Sequence, residues 1–235
     1  LLSRRQRQMC IRDRGYSVGL VDLDIYGPSM SLMFGTKERP GANENDEFIP
    51  VTAHGVKLLS MGLLINESDP VAVRGPLATR YVQQFLRNVA WGDVDFLILD
   101  LPPGTGDIQL TIVQTAELDG VVVVTTPQEV ALIDARKAIG LFERVETPIL
   151  GIIENMSYFQ CPSDGKIYHI FGEGGGEREA AKLGVPLLGK IPLDISTRSG
   201  GDEGRPVALE DPGQNPVSAA FRQVAEQCAR VVLDR

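Results

Sequence analysis

The sequence predicts an α/β fold, a doubly wound and mostly parallel sheet with helices on both of its faces. The first observation is residues 96–100, where four apolar residues follow one another without polar alternation, as in a strand covered on both faces. The second is that such strands alternate along the chain with segments of helical spacing. The third is that no internal repeat and no linker divides the chain.

Each element follows from its local pattern. Strands are placed on short apolar, β-branched runs that end at polar, Gly or Pro residues, and helices where apolar residues recur every three or four positions. We predict strands at residues 17–21, 48–52, 56–60, 96–100, 120–125, 149–154 and 187–191. We predict helices at 30–34, 76–90, 108–116, 130–145, 176–183 and 216–233, a surface loop at 36–46 and an irregular insert at 158–171.

The composition is that of an ordinary soluble globular protein. The 235 residues have a net charge of −8, which argues against a nucleic-acid surface as the main function. No apolar run approaches the ~20 residues needed to cross a bilayer, so we expect no membrane partner. Cys10, Cys161 and Cys228 are widely spaced and form no disulfide framework, which predicts a reducing, cytoplasmic environment.

Residues 1–14 differ from the rest of the chain. They contain five arginines and one acid, for a local charge of +4. A basic targeting or nucleic-acid-binding arm is one interpretation. We favour the other, a non-native segment joined upstream, because the stretch has no apolar face suited to a transit helix and abuts the next strand directly. The predicted domain is therefore 15–235.

Carboxylates follow two of the predicted strands. Asp22 and Asp24 come at the end of the first strand, where they either serve a phosphate and magnesium site or simply cap a helix in a solvated turn. Asp100 ends an otherwise apolar strand, where a buried carboxylate needs a partner such as a metal shell. The Gly-rich loop after it contains Gly104, which lets a backbone N–H approach a phosphate closely.

Two further strands deliver polar loops, residues 125–128 and the pair Glu154 and Asn155. Because carboxyl ends of parallel strands meet at one edge of a sheet, these loops and the aspartates are predicted to form a single site. The glycine run at 172–176 has no Lys-Ser/Thr after it and is flanked by Glu173 and Glu177. It is therefore predicted to open the next helix and not to bind phosphate.

Taken together and in this order, these motifs resemble the Mrp/ApbC iron–sulfur cluster carrier ATPases, which belong to the MinD-like deviant P-loop class. The resemblance runs from about residue 15 to the C-terminus. The motifs that carry it are Asp22-Leu23-Asp24-Ile25-Tyr26-Gly27-Pro28-Ser29, Arg74-Gly75-Pro76, Asp100-Leu101-Pro102-Pro103-Gly104-Thr105-Gly106-Asp107, Thr125-Thr126-Pro127-Gln128 and Glu154-Asn155-Met156-Ser157-Tyr158-Phe159.

The resemblance implies ATP and Mg²⁺ as cofactors and assigns roles to the strand-end residues. Asp24 would be the catalytic switch I acid near the attacking water, and Asp22 would lie close to the magnesium. Asp100 would be the Walker B acid, bound to magnesium through water, and Gly104 would contact the γ-phosphate.

At the other end of the nucleotide, Asn155 would read the adenine edge and Pro192 would pack beside the base. The resemblance also implies a homodimer that hands a cluster to iron–sulfur apoproteins. The net charge of −8 predicts no nucleic-acid partner.

The chain departs from this family in one respect that concerns ATP. No Gly-x-x-x-x-Gly-Lys-Ser/Thr occurs in the 235 residues, so the Walker A lysines and the first strand of the P-loop fold are not in this sequence. The neighbours of that strand would each lose a hydrogen-bonding partner. We therefore expect the chain as written to bind ATP weakly or not at all, and whether it is an ATPase by itself stays open.

The second departure concerns the cluster. Many family members have Cys-Pro-x-Cys-Gly where this chain has Cys161-Pro162-Ser163-Asp164-Gly165. One thiolate from each subunit gives two per dimer, short of the usual four for a [4Fe–4S] cluster. Asp164 offers hard oxygen ligands, which match a sulfur-preferring cluster poorly. Cys228 lies in the C-terminal helix at core spacing and is expected to pack there.

Three functions follow from this. The first is an ATP-dependent carrier that binds an iron–sulfur cluster and transfers it to apoproteins. The second is a MinD- or ParA-like positioning switch, which predicts a basic membrane helix or a DNA-binding patch that the sequence does not display. The third is a non-catalytic fragment with the family fold, which the missing Walker A loop favours.

Overall fold

A computed structural model of the chain describes residues 15–25, 27–64, 75–104 and 106–234. These form two compact units. The first unit contains the described residues up to 117 together with 200–206, and the second contains 118–199 and 207–234. The predicted segment 1–14 and Arg74 of the Arg-Gly-Pro motif lie outside the described residues.

The sheet of the first unit has four strands in the order β4-β5-β1-β6. They are β1 (Val18–Asp22), β4 (Val51–Ala53), β5 (Val56–Ser60) and β6 (Phe96–Asp100). Strand β1 runs parallel to both β5 and β6, whereas β4 and β5 form an antiparallel hairpin. Strands were predicted at 48–52 and 56–60, but the first of them is interrupted at Pro50. Its first part, β3 (Phe48–Ile49), pairs instead with β2 (Gly41–Ala42) inside the predicted loop.

The core of the first unit lies between this sheet and two helices. Strand β1 is buried along its whole length, as the unbroken apolar run requires. The helices are α2 (Gly75–Arg87) and α3 (Asp107–Thr115), which pack together; a short helix, α1 (Met30–Met33), follows β1. Ala78, Val82 and Phe85 of α2, and Val89 two residues after its end, enter the core as one stripe in which each large side chain contributes about 1.5–3 kcal/mol.

The second unit contains a parallel sheet in the order β10-β8-β7. The strands are β7 (Val121–Thr125), β8 (Ile149–Gln160) and β10 (Leu187–Leu193), and β9 (Ile167–Tyr168) turns back antiparallel onto the end of β8. Helices α4 (Glu129–Arg144) and α5 (Gly175–Leu183) share a core cluster with β7 and β8. Helix α7 (Pro216–Leu233) packs on β10, where Gly189 leaves room for Val224.

Two predictions about the second unit are wrong. Strand β8 has 12 residues and does not end at Glu154, so the insert predicted as irregular at 158–171 begins as a β-hairpin. Ending the strand at its first polar residues failed here because Met156 takes a left-handed conformation, with φ of 51°, and the strand continues beyond this bulge. Helix α6 (Ile195–Asp202), whose residues from 200 onward belong to the first unit, was not predicted.

The neighbours of the missing first strand of the P-loop fold were each predicted to lose a hydrogen-bonding partner. Within the described ranges, β6 pairs only with β1 and β7 pairs only with β8. No helix in these ranges is long and apolar enough to cross a membrane.

Candidate functional site

The carboxyl end of β1 places three polar side chains side by side in the first unit. Asp22 lies opposite Asp100 of β6 on one side and opposite Ser60 of β5 on the other. All three are buried, with 0%, 6% and 0% of their surface exposed, respectively. The predicted convergence of Asp22 and Asp100 at one sheet edge is therefore present, because parallel strands in register end together.

Among the described residues, Ser60, Asp24 and Met30 donate hydrogen bonds to the Asp22 carboxylate. The Ser60 hydroxyl donates to Oδ2 at 2.8 Å, the Asp24 backbone N–H donates to Oδ1 at 3.2 Å, and the Met30 N–H donates to Oδ2 at 3.4 Å. Such donors compensate the burial of a negative charge. Since Met30 is the first residue of α1, Asp22 also contacts the start of a helix, but it does so as a buried residue and not in a solvated turn. Its predicted place near magnesium stays a prediction.

Asp24 is only partly buried and stabilises the turn that follows β1. Its Oδ1 accepts the backbone N–H of Gly27 at 3.1 Å. The carboxylate therefore lies at the same strand end as Asp22 but is directed into the turn. Its predicted role beside an attacking water stays a prediction.

The loop after β6 is held by a residue that the sequence analysis missed. Gln109 of α3 is buried, and its Nε2 donates to the carbonyls of Pro102 and Pro103, both at 3.1 Å. No spacing or composition pattern marks a glutamine for this contact. Gly104, in the same loop, has φ of +98° and open space where a Cβ would lie. Glycine is therefore favoured here by the backbone conformation and not by a lack of space.

In the second unit, the strand register brings a second set of predicted residues together. Thr125 lies opposite Glu154, and Asn155 lies opposite Ile191, which places Pro192 next to Asn155 across the β8–β10 pair. Asn155 is buried, with 5% exposed, and its Oδ1 accepts the N–H of Met156 at 2.9 Å. Its predicted contact with an adenine stays a prediction.

Glu154 is a second residue whose role the sequence did not indicate. Its side chain is 0% exposed, the Ser157 hydroxyl donates to Oε1 at 2.5 Å, and the Gly176 backbone N–H donates to Oε2 at 2.7 Å. Gly176 lies in the first turn of α5, so an internal carboxylate occupies this helix N-terminus. The predicted role of the glycine run as the opening of a helix agrees with this geometry.

Cys161 lies in the turn between β8 and β9. The Cys161 N–H donates to the Lys166 carbonyl, and the Gly165 N–H donates to the Cys161 carbonyl, both at 2.8 Å. A hydrogen bond with the Ser163 hydroxyl, at 3.0 Å from Sγ, lowers the pKa of the thiol from its usual value. The thiol is therefore more readily ionised than an ordinary cysteine.

Asp164 closes the same turn. Its Oδ1 accepts the Lys166 backbone N–H at 3.1 Å, and this hydrogen bond lowers the pKa of the carboxyl below its usual value. Its Oδ2 pairs with the Lys166 ammonium at 3.2 Å. Across the described part of the chain, no group of three or more His, Cys, Asp and Glu side chains is placed to hold a metal ion.

Comparison with known proteins decides the family. A family model matches residues 6–229, and its description is "ParA: NUBPL iron-transfer P-loop NTPase". The chain belongs to the NUBPL iron-transfer P-loop NTPase family. An iron–sulfur cluster carrier protein from Aquifex aeolicus is 46% identical over 220 residues, which are 93% of this chain but only 60% of that relative. The resemblance stated from the motifs is confirmed.

Solved structures confirm the fold class. A nucleotide-binding protein from Archaeoglobus fulgidus, in complex with ADP, is 35% identical, with a TM-score of 0.74 over 86% of this chain and 81% of that one. The cell-division ATPase MinD of Pyrococcus furiosus is 21% identical, with a TM-score of 0.71 over 98% and 92% of the two chains. The NUBPL-family chain thus has the predicted α/β, MinD-like P-loop NTPase fold.

Proposed function

We propose that this NUBPL-family chain is part of an iron–sulfur cluster carrier, which binds a cluster at Cys161 and transfers it to apoproteins. Family membership supports the proposal, as does the Aquifex relative named as such a carrier. The chain spans 60% of that relative's length, so the activity of the whole protein is part of the proposal. We further propose a reducing, cytoplasmic setting, in which a thiolate ligand persists.

The observation that carries the proposal is the position of Cys161 and the lowered pKa of its thiol. Its thiol lies in an exposed hairpin turn, and the hydrogen bond with Ser163 lowers the thiol pKa. A thiolate is the ligand that iron–sulfur clusters require, and an accessible turn allows a cluster to be received and released. Cys228 in α7 is half-buried like Cys161, so its predicted packing in the core is wrong, but it lies on a helix and not in a hairpin turn.

The number of thiolates determines how tightly a cluster is held. One thiolate at this turn gives two in a homodimer, and a [4Fe–4S] cluster is usually held by four. The remaining ligands must come from elsewhere, such as the client or a small thiol. A cluster with fewer protein thiolates is more easily released, which suits cargo better than a resident cofactor.

For the nucleotide, the chain supplies oxygen donors that fit Mg²⁺, namely the buried carboxylates of Asp22 and Asp100. When bound, Mg²⁺ would neutralise developing phosphate charge. Asp24 orients the attacking water in this proposal, and Gly104 presents a backbone N–H to the γ-phosphate. The family resemblance assigns the adenine contact in this proposal to Asn155 and Pro192. The ADP complex of the Archaeoglobus protein supports nucleotide binding by this family.

Anaerobic reconstitution of the full 235-residue chain with iron and sulfide tests the cluster proposal. The wild-type chain and the Cys228→Ser control should develop the visible thiolate-to-iron absorbance, and Cys161→Ser should not. Asp164→Cys should retain more iron after gel filtration than wild type, because it adds a second thiolate to the same turn. Equal iron in wild type and Cys161→Ser would contradict the proposal.

A second candidate is cluster binding without ATP turnover by this chain alone. The observation that favours it is the lack of a Gly-x-x-x-x-Gly-Lys-Ser/Thr motif in the 235 residues. An ATPase assay on the same preparation distinguishes the two candidates.

A further inference from the structure

We propose that Glu154 is a positioning residue for Cys161: its buried carboxylate clamps the base of the β8–β9 hairpin to the first turn of α5. The inference rests on the proposed function only in taking Cys161 as the cluster ligand. The hydrogen bonds of Glu154 lie within the second unit and do not depend on that function. The sequence analysis places Glu154 at this sheet edge, as part of the Glu154–Phe159 motif, but assigns its carboxylate no role.

The first step is the bulge in β8. Strand β8 follows β7 as far as Glu154 and β10 as far as Asn155. Pairing with β10 resumes at Phe159 opposite Leu193, so β8 contains extra residues between the two pairings. Met156, with φ of 51°, lies in this interval. A bulge of this kind redirects the strand that follows it and needs side-chain contacts to fix its shape.

The second step is that Glu154 closes the bulge. The hydroxyl of Ser157, which is 3% exposed, donates to the Glu154 carboxylate across the bulge. Ser157 is also linked to the other arm of the hairpin, because its carbonyl lies 3.4 Å from Nδ1 of His169, directly after β9. The Glu154–Ser157 pair therefore holds both arms at the base of the hairpin that carries Cys161.

The third step anchors this base to the rest of the unit. The other oxygen of Glu154 accepts the N–H of Gly176. Backbones meet closely here: a Cβ on Gly175 would lie 2.2 Å from the Pro127 carbonyl oxygen, and one on Gly176 would lie 3.1 Å from Cβ of Glu154. The α5 N-terminus, the 125–128 loop and the β8 bulge thus form one packed junction, and Glu154 connects the hairpin to it.

The consequence is that the hairpin should open more often when the clamp is removed. Hydrogen bonds to a buried charged group are strong enough to change a local opening equilibrium about tenfold. In Glu154→Ala and Ser157→Ala, amide hydrogen exchange of residues 158–168 should be about tenfold faster than in wild type. Glu154→Gln keeps an acceptor for Gly176 and a polar partner for Ser157, so it should remain close to wild type.

The matched control is Ile139→Ala, which removes a buried side chain from the core of the same unit but none of the hydrogen bonds of Glu154. It should lower the melting temperature without accelerating exchange of residues 158–168 beyond the rest of the unit. Equal acceleration in Ile139→Ala and Ser157→Ala, or unchanged hairpin exchange in the clamp variants, would overturn the proposal. Ser157→Ala keeps the test available if Glu154→Ala does not fold.

The exchange experiment needs no cluster, so the two proposals fail separately. If the clamp variants loosen the hairpin but wild type takes up no iron, the positioning role holds and the carrier function is rejected. If iron binds through Cys161 while the hairpin exchanges at the wild-type rate in all clamp variants, the carrier function holds and the positioning role is rejected.

Discussion

Replacing Glu179 with glutamine should make the stability of this protein less dependent on pH. Glu179 lies in α5, with only 4% of its surface exposed. Its carboxylate accepts hydrogen bonds from Nε and an Nη of Arg136 in α4, at 2.9 and 2.7 Å. Lys182 contacts the same carboxylate at 2.8 Å. These hydrogen bonds, led by those of Arg136, lower the pKa of Glu179 from 4.5 to about 2.

The magnitude follows from linkage. One pKa unit corresponds to about 1.4 kcal/mol, so the full shift sets a ceiling of about 3 kcal/mol. The side chains of Arg136 and Lys182 are 38% and 64% exposed, and solvent screening reduces the contribution to about 1–2 kcal/mol. Because the folded-state pKa is lowered, this stability is fully present above the unfolded pKa of 4.5 and is lost as the pH falls towards 2.

The assay is urea unfolding of wild type and Glu179→Gln across this range of pH. The variant should be less stable by about 1–2 kcal/mol near pH 7, and the difference should shrink towards zero below about pH 3. Asp134→Asn is the matched control, since it removes the exposed Asp134–Lys137 ion pair of α4 and should cost well under about 1 kcal/mol. The reasoning would be refuted if Glu179→Gln had the same free energy of unfolding as wild type at neutral pH, or if it stayed less stable by an undiminished amount in acid.

Two further predictions concern the chain as a whole and the α5 junction. Titration calorimetry of the 235-residue chain with ATP and Mg²⁺ should give no micromolar binding, because the lysine-bearing phosphate loop is not in this sequence; a micromolar Kd would contradict it. Gly175→Ala should lower stability by about 1–3 kcal/mol, because its Cβ would clash with the Pro127 carbonyl. Gly140→Ala in α4, where a Cβ meets nothing within 4 Å, should be neutral or stabilising, and thermal unfolding of both variants measures the contrast.

Much of the fold could be predicted because local patterns agree with the tertiary environment. Strand β6 was predicted at its observed bounds, but its predicted cover on both faces is wrong: Leu97 is 41% exposed and the other apolar residues of the strand are only partly buried. Helix α4 and helix α7 were predicted to within one residue at each end. The prediction failed where local rules do not operate: β8 continues through the left-handed Met156, and α6 lacks a strong apolar period.

The candidate site, like the fold, was predicted from the sequence only in part. The acids Asp22 and Asp100 were identified from their positions at strand ends, and parallel register alone makes them neighbours. The family followed from ordered motifs, and comparison confirmed it. Gln109 was missed, and Glu154 was placed at the sheet edge without its partners. In both cases the hydrogen bonds reach backbone groups elsewhere in the chain, at Pro102, Pro103 and Gly176.

The sequence by itself therefore determined the fold class, the family and the residue types at the strand ends, because these depend on periodicity and on short motifs. Only the tertiary structure decided how the carboxylates are used. Asp22 accepts bonds from Ser60 and from the start of α1, and Glu154 joins the Cys161 hairpin to α5. A buried carboxylate takes its partners from whatever donors the packing brings near it, and that information lies in long-range contacts.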